Sequence, residues 1–340
     1  MTPFEAAMVR AVEASALVAG TTSPNPPVGC VVLDARGRVA GVGATQPPGG
    51  PHAEVVALRE AGERARGGTA VVTLEPCAHS GRTPPCTGAL LAAGVVRVVH
   101  AVSDPNPVAA GGGDVLRAAG VEVVSGVLAD QVRRGPLRAW LHFAATGRPH
   151  VTWKYAASLD GRSAAADGTS RWISSPPSRA QVHDLRTTVD AIVAGTGTVV
   201  ADDPRLTARD STGTLLPRQP LRVVVGLRDL PTTAAVFDDE AETVRLRTHD
   251  PDEVLTELAG RGVVDVLLEG GPTLAGAFVR AGRVDRVLAY VAPALLGAGP
   301  AALGDAGVAT VTGAVRLTVE EATMCGSDVR ISAVPTPRSA

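Results

Sequence analysis

The sequence predicts an α/β protein of two domains. Apolar, strand-like runs alternate with amphipathic stretches along almost the whole chain, the pattern of a largely parallel sheet with helices on its faces. At 340 residues the chain is long for one domain. The stretch "ATGRPH" (145–150) separates two series of such runs and reads as a linker, placing one domain at 1–146 and the other at 150–334.

In the first domain the opening residues put Phe4, Met8, Val12 and several alanines on one helical face. Apolar runs at 28–33 and 39–42, split by "DARGR", read as a hairpin. A helix at 52–65, a strand at 69–75 and a short helix at 87–93 follow. Then come a strand at 96–102, a helix at 114–120, a strand at 121–124 and one helix across 129–145. In the second domain, strands are expected at 150–156, 190–195, 221–226, 264–270 and 285–293, with helices at 176–189 and 273–281. The closing "VPTPRSA" reads as a frayed tail.

Composition narrows the function. Hydrophobic residues make up 45% but aromatics only 3%, so the cores must be built of Val, Leu and Ala. The net charge is −2, with no Lys/Arg-rich run and no interleaved aromatics, which argues against a nucleic-acid partner. Four cysteines in a chain this long make no disulfide framework, and the expected location is cytoplasmic. The N-terminus does not read as a signal peptide, and no apolar run reaches membrane-spanning length, so no membrane association is expected.

Two of the four cysteines lie in "LEPCAHSGRTPPC" (74–86). Alone, the pair could be a disulfide, two inert thiols or half of a metal site. Upstream, "PHAEV" supplies His52 and Glu54. Zinc takes imidazole nitrogen and thiolate sulfur, and a catalytic site uses three protein ligands and keeps a position for water. His52, Cys77 and Cys86 can be those three, with Glu54 left free as a general acid/base. Residues two apart on a helix do not share a face, so His52 must stand at the very start of its helix. His-x-Glu followed by Pro-Cys and a second Cys is the pattern of zinc-dependent deaminases, although here eight residues separate the cysteines instead of two. Cys30, in an apolar run, reads as inert core, and Cys325 has no acid or His context.

The long insertion, "EPCAHSGRTPPC", together with "SPNPPVGCVV" and "DPNP", closely resembles the N-terminal half of the bifunctional riboflavin-biosynthesis deaminase/reductase family. The resemblance implies a cytidine-deaminase-like three-layer α/β/α domain holding one Zn²⁺ per chain. It also implies that Asn25 binds the pyrimidine edge, that His79 and Arg82 lie by the base and ribose phosphate, and that Asp104 and Asn106 shape the pocket. Thr45 stands where many members carry His.

The second domain offers "VTWKYAASLDGRSA", "TSRWISS", "DDPRLTAR" and "LEGGPTLAGAF" in the family's order. The last is a strand, a Gly pair and a Pro-led helix, whose N-terminus suits an anion. There is no Gly-x-Gly-x-x-Gly after a first strand, so a standard Rossmann site is not indicated. The resemblance implies a dihydrofolate-reductase-like α/β domain and NADPH as cofactor. It places Ala156, Trp172, Thr198, Asp202, Gly271, Pro272, Thr273, Leu274, Ala275, Gly276 and Ala277 on the cofactor, and Ser170, Arg186, Leu206, Arg209 and Glu269 on the substrate, with Lys154 and Asp160 nearby. Arg186 and Arg209 suit a phosphate because guanidinium binds it with two parallel bonds. Gly226-Leu227 replaces an Asp-Ser/Thr pair that the family often sets against the cofactor.

The activity expected from the resemblance is hydrolytic deamination of 2,5-diamino-6-ribosylamino-4(3H)-pyrimidinone 5′-phosphate, then NADPH-dependent reduction of its ribosyl group to ribityl. A homodimer joined through the reductase domain is the family expectation. Two other readings compete. A zinc deaminase of another base or of tRNA, fused to an unrelated domain, is disfavoured for tRNA by the neutral charge. A binding protein with structural zinc is disfavoured by Glu54 and by the absence of an obvious fourth ligand.

Overall fold

Two sheets organise the chain, one in each of two units, Met1–Arg148 and Pro149–Ala340. The computed structural model describes residues 1–79 and 84–336.

The first unit runs α1 (Pro3–Leu17), β1 (Gly29–Leu33), β2 (Val39–Ala44), α2 (Ala53–Ala61), β3 (Thr69–Leu74), α3 (Cys86–Ala92), β4 (Arg97–Val102), α4 (Gly112–Ala118), β5 (Glu122–Ser125), α5 (Ala129–Arg134) and α6 (Arg138–Thr146). Thr2 caps α1: its hydroxyl accepts from the Glu5 N–H while the Glu5 carboxylate accepts from the Thr2 N–H. The sheet order is β2-β1-β3-β4-β5. The hairpin and β1–β3 are antiparallel, and β3–β4–β5 are parallel. Helices cover both faces. A Cβ on Gly29 would lie 1.8 Å from the Ala11 carbonyl oxygen of α1, and one on Gly43 would lie 2.4 Å from the Ala53 oxygen of α2. Gly29 pairs with Ala44 and Cys30 with Gly43, and neighbours along a strand point to opposite faces, so α1 and α2 lie on opposite sides.

The second unit runs β6 (His150–Ser158), α7 (Pro176–Thr188), β7 (Ala191–Gly195), α8 (Thr196–Asp202), β8 (Leu221–Val225), β9 (Thr243–Leu246), α9 (Pro251–Gly260), β10 (Asp265–Leu268), α10 (Pro272–Arg280), β11 (Arg286–Ala292), β12 (Leu317–Cys325) and β13 (Asp328–Pro335). The eight strands lie in the order β12-β13-β11-β6-β10-β7-β8-β9. From β11 through β9 the pairs are parallel, and β13 and β12 add an antiparallel hairpin. Alternate residues of one strand enter different cores. Ala191 and Val193 pack with Val151, Leu268 and Phe278, whereas Ile192 and Ala194 pack with Val199, Leu206 and Leu267. Burial on both faces explains the continuous apolar runs of the parallel strands.

Two expectations need correction. The single helix at 129–145 is two helices, because Gly135 and Pro136 interrupt it: proline cannot donate to the helical ladder and disfavours helical backbone at the residue before it. The supposed tail begins inside a strand, since β13 continues through Pro335 opposite Leu317.

Candidate active sites

The parallel strand β3, buried along its whole length, delivers Glu75, Pro76 and Cys77 at its carboxyl end. His52 is the N-cap of α2, with extended backbone, so its ring sits at the helix start as the two-residue spacing requires. Glu54 lies in the first turn and is only 4% exposed. Cys86 opens α3 and donates its backbone N–H to Cys77 Sγ (3.4 Å).

These elements bring three donors together. His52 Nδ1 is 3.2 Å from Cys86 Sγ and 3.7 Å from Cys77 Sγ, and all three ligand atoms lie within 4.8 Å of one another. Tetrahedral zinc with bonds of about 2.0–2.1 Å to nitrogen and 2.3 Å to sulfur sets its N and S ligands roughly 3.6 Å apart. The two distances bracket that value, so the donor set fits zinc. Hydrogen bonding from Cys86, helped by His52, holds the Cys77 thiol down at about 4. The proton the pair shares stays on Cys86, whose thiol is pushed up by its bond to Cys77, by burial and by the Glu54 charge. The Glu54 carboxyl is raised by burial, which suits a group that must both take and give a proton. Cys30 is buried in β1 with its thiol pushed far up, chiefly by burial.

A cavity of about 380 Å³ opens on this cluster. Asn25, His79, Asp104 and Asn106 all line it beside His52, Glu54 and Cys77. Arg82 lies outside the described residues. Thr45 also lines the cavity, and its hydroxyl accepts from the Val28 N–H (3.1 Å). Glu75 and Trp140, which the sequence reading did not single out, also line it.

In the second unit a cavity of about 300 Å³ is lined by Lys154, Ala156, Ser170, Trp172, Arg186, Thr198, Asp202, Leu206 and Glu269, all of them expected site residues. Trp172 is 70% exposed, so its ring is not part of the core. The fork of Arg186 is already engaged by Glu269, and its Nη1 donates to the Thr207 carbonyl (2.9 Å). Any phosphate contact of Arg186 must therefore use its remaining N–H groups. Lys154 Nζ is 4.0 Å from Glu269 Oε2, and burial lowers the Lys154 ammonium.

Asp160, Arg209 and residues 271–277 are not among the cavity's lining groups. Asp160 accepts from the backbone N–H groups of Leu296 (3.1 Å) and Gly297 (2.6 Å), bracing the loop after β11. Arg209 pairs with Glu240. Gly271 N–H, at the N-cap of α10, donates to Thr198 Oγ1 (3.0 Å), which ties that helix start to the cavity wall.

The sequence reading did not single out several lining residues, among them Arg171, Arg179, His183 and Tyr290. His183 lies one turn before Arg186 on α7, a spacing that could have flagged it. The Arg179 guanidinium sits 4.4 Å over the Trp172 ring and its Nη1 donates to the Ser174 carbonyl, while Arg171 donates to the Asp202 carbonyl. Among the described residues neither arginine pairs with a carboxylate. Two uncompensated cations and an exposed aromatic face suit an anionic, ring-bearing ligand such as a dinucleotide.

Comparison with known proteins gives each unit a family. Residues 1–102 match the family model of the cytidine and deoxycytidylate deaminase zinc-binding region, and residues 149–331 match that of the RibD C-terminal domain. Riboflavin biosynthesis protein RibD of Mycobacterium tuberculosis (strain H37Rv) is 58% identical over 331 residues, covering 97% of each chain. That of Escherichia coli (strain K12) is 42% identical, covering 85% of this chain and 88% of its own. Among solved structures, Acinetobacter baumannii RibD superposes with a TM-score of 0.87 at 37% identity, covering 98% of this chain and 99% of its own. The Thermotoga maritima diaminohydroxyphosphoribosylaminopyrimidine deaminase/5-amino-6-(5-phosphoribosylamino)uracil reductase superposes with a TM-score of 0.88 at 32% identity and the same coverage.

Proposed function

The chain belongs to the RibD family of bifunctional riboflavin-biosynthesis deaminase/reductases, and from that premise we propose how its residues divide two consecutive steps on one pyrimidine nucleotide. The first unit is a cytidine-deaminase-like, zinc-binding aminohydrolase domain, and the second is a dihydrofolate-reductase-like reductase domain of the NADPH-using type. The observation that carries the reading is the cluster of three zinc donors beside a cavity that His52, Cys77 and the buried Glu54 line.

In the deaminase unit the substrate is 2,5-diamino-6-ribosylamino-4(3H)-pyrimidinone 5′-phosphate. His52, Cys77 and Cys86 would hold one zinc ion per chain, which would make the attacking water acidic enough to lose its proton near neutral pH, at about 7. Glu54 accepts the proton of the attacking water and returns it to the amino group at C2, which departs as ammonia. Asn25 holds the pyrimidine edge. His79 and Arg82 face the base and ribose phosphate, and Asp104 and Asn106 form the wall that keeps C2 against Glu54.

In the reductase unit NADPH, when bound, would supply a hydride to C1′ of the ribosyl group; the ring C1′–O4′ bond breaks, O4′ takes a proton, and the C1′–N bond is kept, leaving a ribityl chain. The chain's task is orientation and anchoring. Trp172, Ala156, Thr198, Asp202 and residues 271–277 hold the cofactor. Ser170, Arg186, Leu206, Arg209 and Glu269 hold the substrate, with Lys154 next to the reacting centre and Asp160 keeping its flanking turn in place. The reading extends to a homodimer through the reductase unit, supported by Leu317, Val319 and Met324, which stand exposed on the edge strand β12. A cytoplasmic location is supported by a zinc site that depends on reduced thiols.

Incubation of the zinc-loaded chain with the diaminopyrimidine nucleotide tests both halves. Ammonia should appear without NADPH, and NADPH should be oxidised when it is present. Ammonia with no NADPH oxidation would remove the reductase half of the reading, and no ammonia at all would remove the deaminase half.

A further inference from the structure

The cavity wall that carries Asp104 and Asn106 is a loop with little of its own to hold it. Residues 105–108 are exposed. Its internal bonds are local: Asp104 Oδ1 accepts from the Asn106 N–H (2.9 Å), and Asn106 Oδ1 accepts from the Val108 N–H (3.1 Å). These shape the loop but do not fix its place.

Its place is fixed from the strand that bears Cys77. Glu75 continues the β3–β4 ladder by donating its N–H to the Val102 carbonyl (2.8 Å). Its carboxylate then reaches sideways to both ends of the loop. Oε2 accepts from the Asp104 N–H (3.2 Å), and Oε1 accepts from the Gly113 N–H (2.9 Å). Two backbone contacts follow the same seam. Ala78 N–H donates to the Ala109 carbonyl (3.3 Å), and Gly112 lies so close to Pro76 that a Cβ on it would be 1.7 Å from the Pro76 oxygen.

We propose that Glu75 is a positioning residue for deamination. It sets the Asp104–Asn106 wall at a fixed distance from Cys77, and so holds the pyrimidine in register with Glu54. A carboxylate suits this task because it offers two acceptor oxygens to two N–H donors and forms charge-assisted bonds with both. Glutamine keeps one acceptor and turns an NH₂ group against the second N–H. The inference rests on reading the cavity as the deaminase site: Glu75 lines it two residues from Cys77, but both its carboxylate oxygens are turned to backbone N–H groups.

The test is Glu75→Gln with zinc content, both activities and thermal stability measured. The expected result is unchanged zinc, unchanged reduction of the deaminated nucleotide, and a deamination KM raised about tenfold or more with kcat within about threefold. A KM equal to the wild type, while the wild type deaminates, overturns the inference and leaves the functional reading standing. If the wild type releases no ammonia, it is the functional reading that fails. A double-mutant cycle separates positioning from bulk stability. If Glu75 acts through the loop, Glu75→Gln should add little to the defect of Asn106→Ala. Additive defects would contradict it. Glu75→Asp, too short to span both N–H groups, should show the same KM effect should the glutamine variant fold poorly.

Discussion

Arg186 grips Glu269 with two prongs, Nε to Oε1 at 2.7 Å and Nη2 to Oε2 at 2.8 Å, in the wall of the reductase cavity. The side chains are 14% and 9% exposed, so water screens the pair little. Burial alone would push the Glu269 carboxyl up. Arg186 and, more weakly, Lys154 outweigh it and hold that carboxyl at about 2.

That pair predicts a pH-dependent stability. A carboxyl lowered by folding stabilises fully above its ordinary value near 4.5 and loses that contribution as pH falls toward 2. Glu269→Gln strands two buried cations and should cost about 3–5 kcal/mol at pH 7. The Tm gap between wild type and variant should be widest near neutrality and close as pH approaches the folded-state value. Calorimetry across pH checks this, and a gap independent of pH would contradict it.

The metal centre predicts separable losses. His52→Ala or Cys86→Ser removes one of three donors and should abolish stoichiometric zinc and deamination together. All three ligands belong to the first unit, so reduction of the deaminated nucleotide should persist. Metal analysis with both assays decides it.

Trp172 predicts the reverse of a core residue. Because its ring is largely exposed, Trp172→Ala should shift Tm by no more than about 1–2 °C. It should raise the KM for NADPH severalfold by removing the face on which Arg179 also rests. A large drop in Tm with an unchanged KM would return Trp172 to a structural role.

Gly226, at the end of β8, has φ +135°, and a Cβ there would lie 2.5 Å from Thr196 Oγ1. Gly226→Ala should therefore cost about 1–3 kcal/mol, read as a lower Tm. Any side chain at this position must displace the Thr196 side chain, which stands at the start of α8.

The zinc site was legible in the sequence because chemistry restricts it to a few residue types at helix starts. The parallel strands were legible because burial on both faces leaves continuous apolar runs. Edge elements were not. β12 reads "LTVEEATMC" and lies exposed along nearly its whole length, so no alternation marks it. β9, "TVRL", sits at the other edge and is half-buried throughout. The role of Glu75 was invisible for another reason: its partners are backbone N–H groups 29 and 38 residues away, which carry no side-chain signature. Arg186 and Glu269 were both expected at the substrate, but their mutual grip depends on a fold that closes 83 residues of chain.

The most direct test of the account is Glu54→Gln, assayed for zinc, for ammonia release from the diaminopyrimidine nucleotide, and for NADPH oxidation on the already deaminated nucleotide. The account predicts one zinc per chain, deamination slowed by about 10²–10⁴-fold, and undiminished reduction. Loss of zinc would make Glu54 a ligand, and retained deamination would remove it from proton transfer; either result contradicts the account.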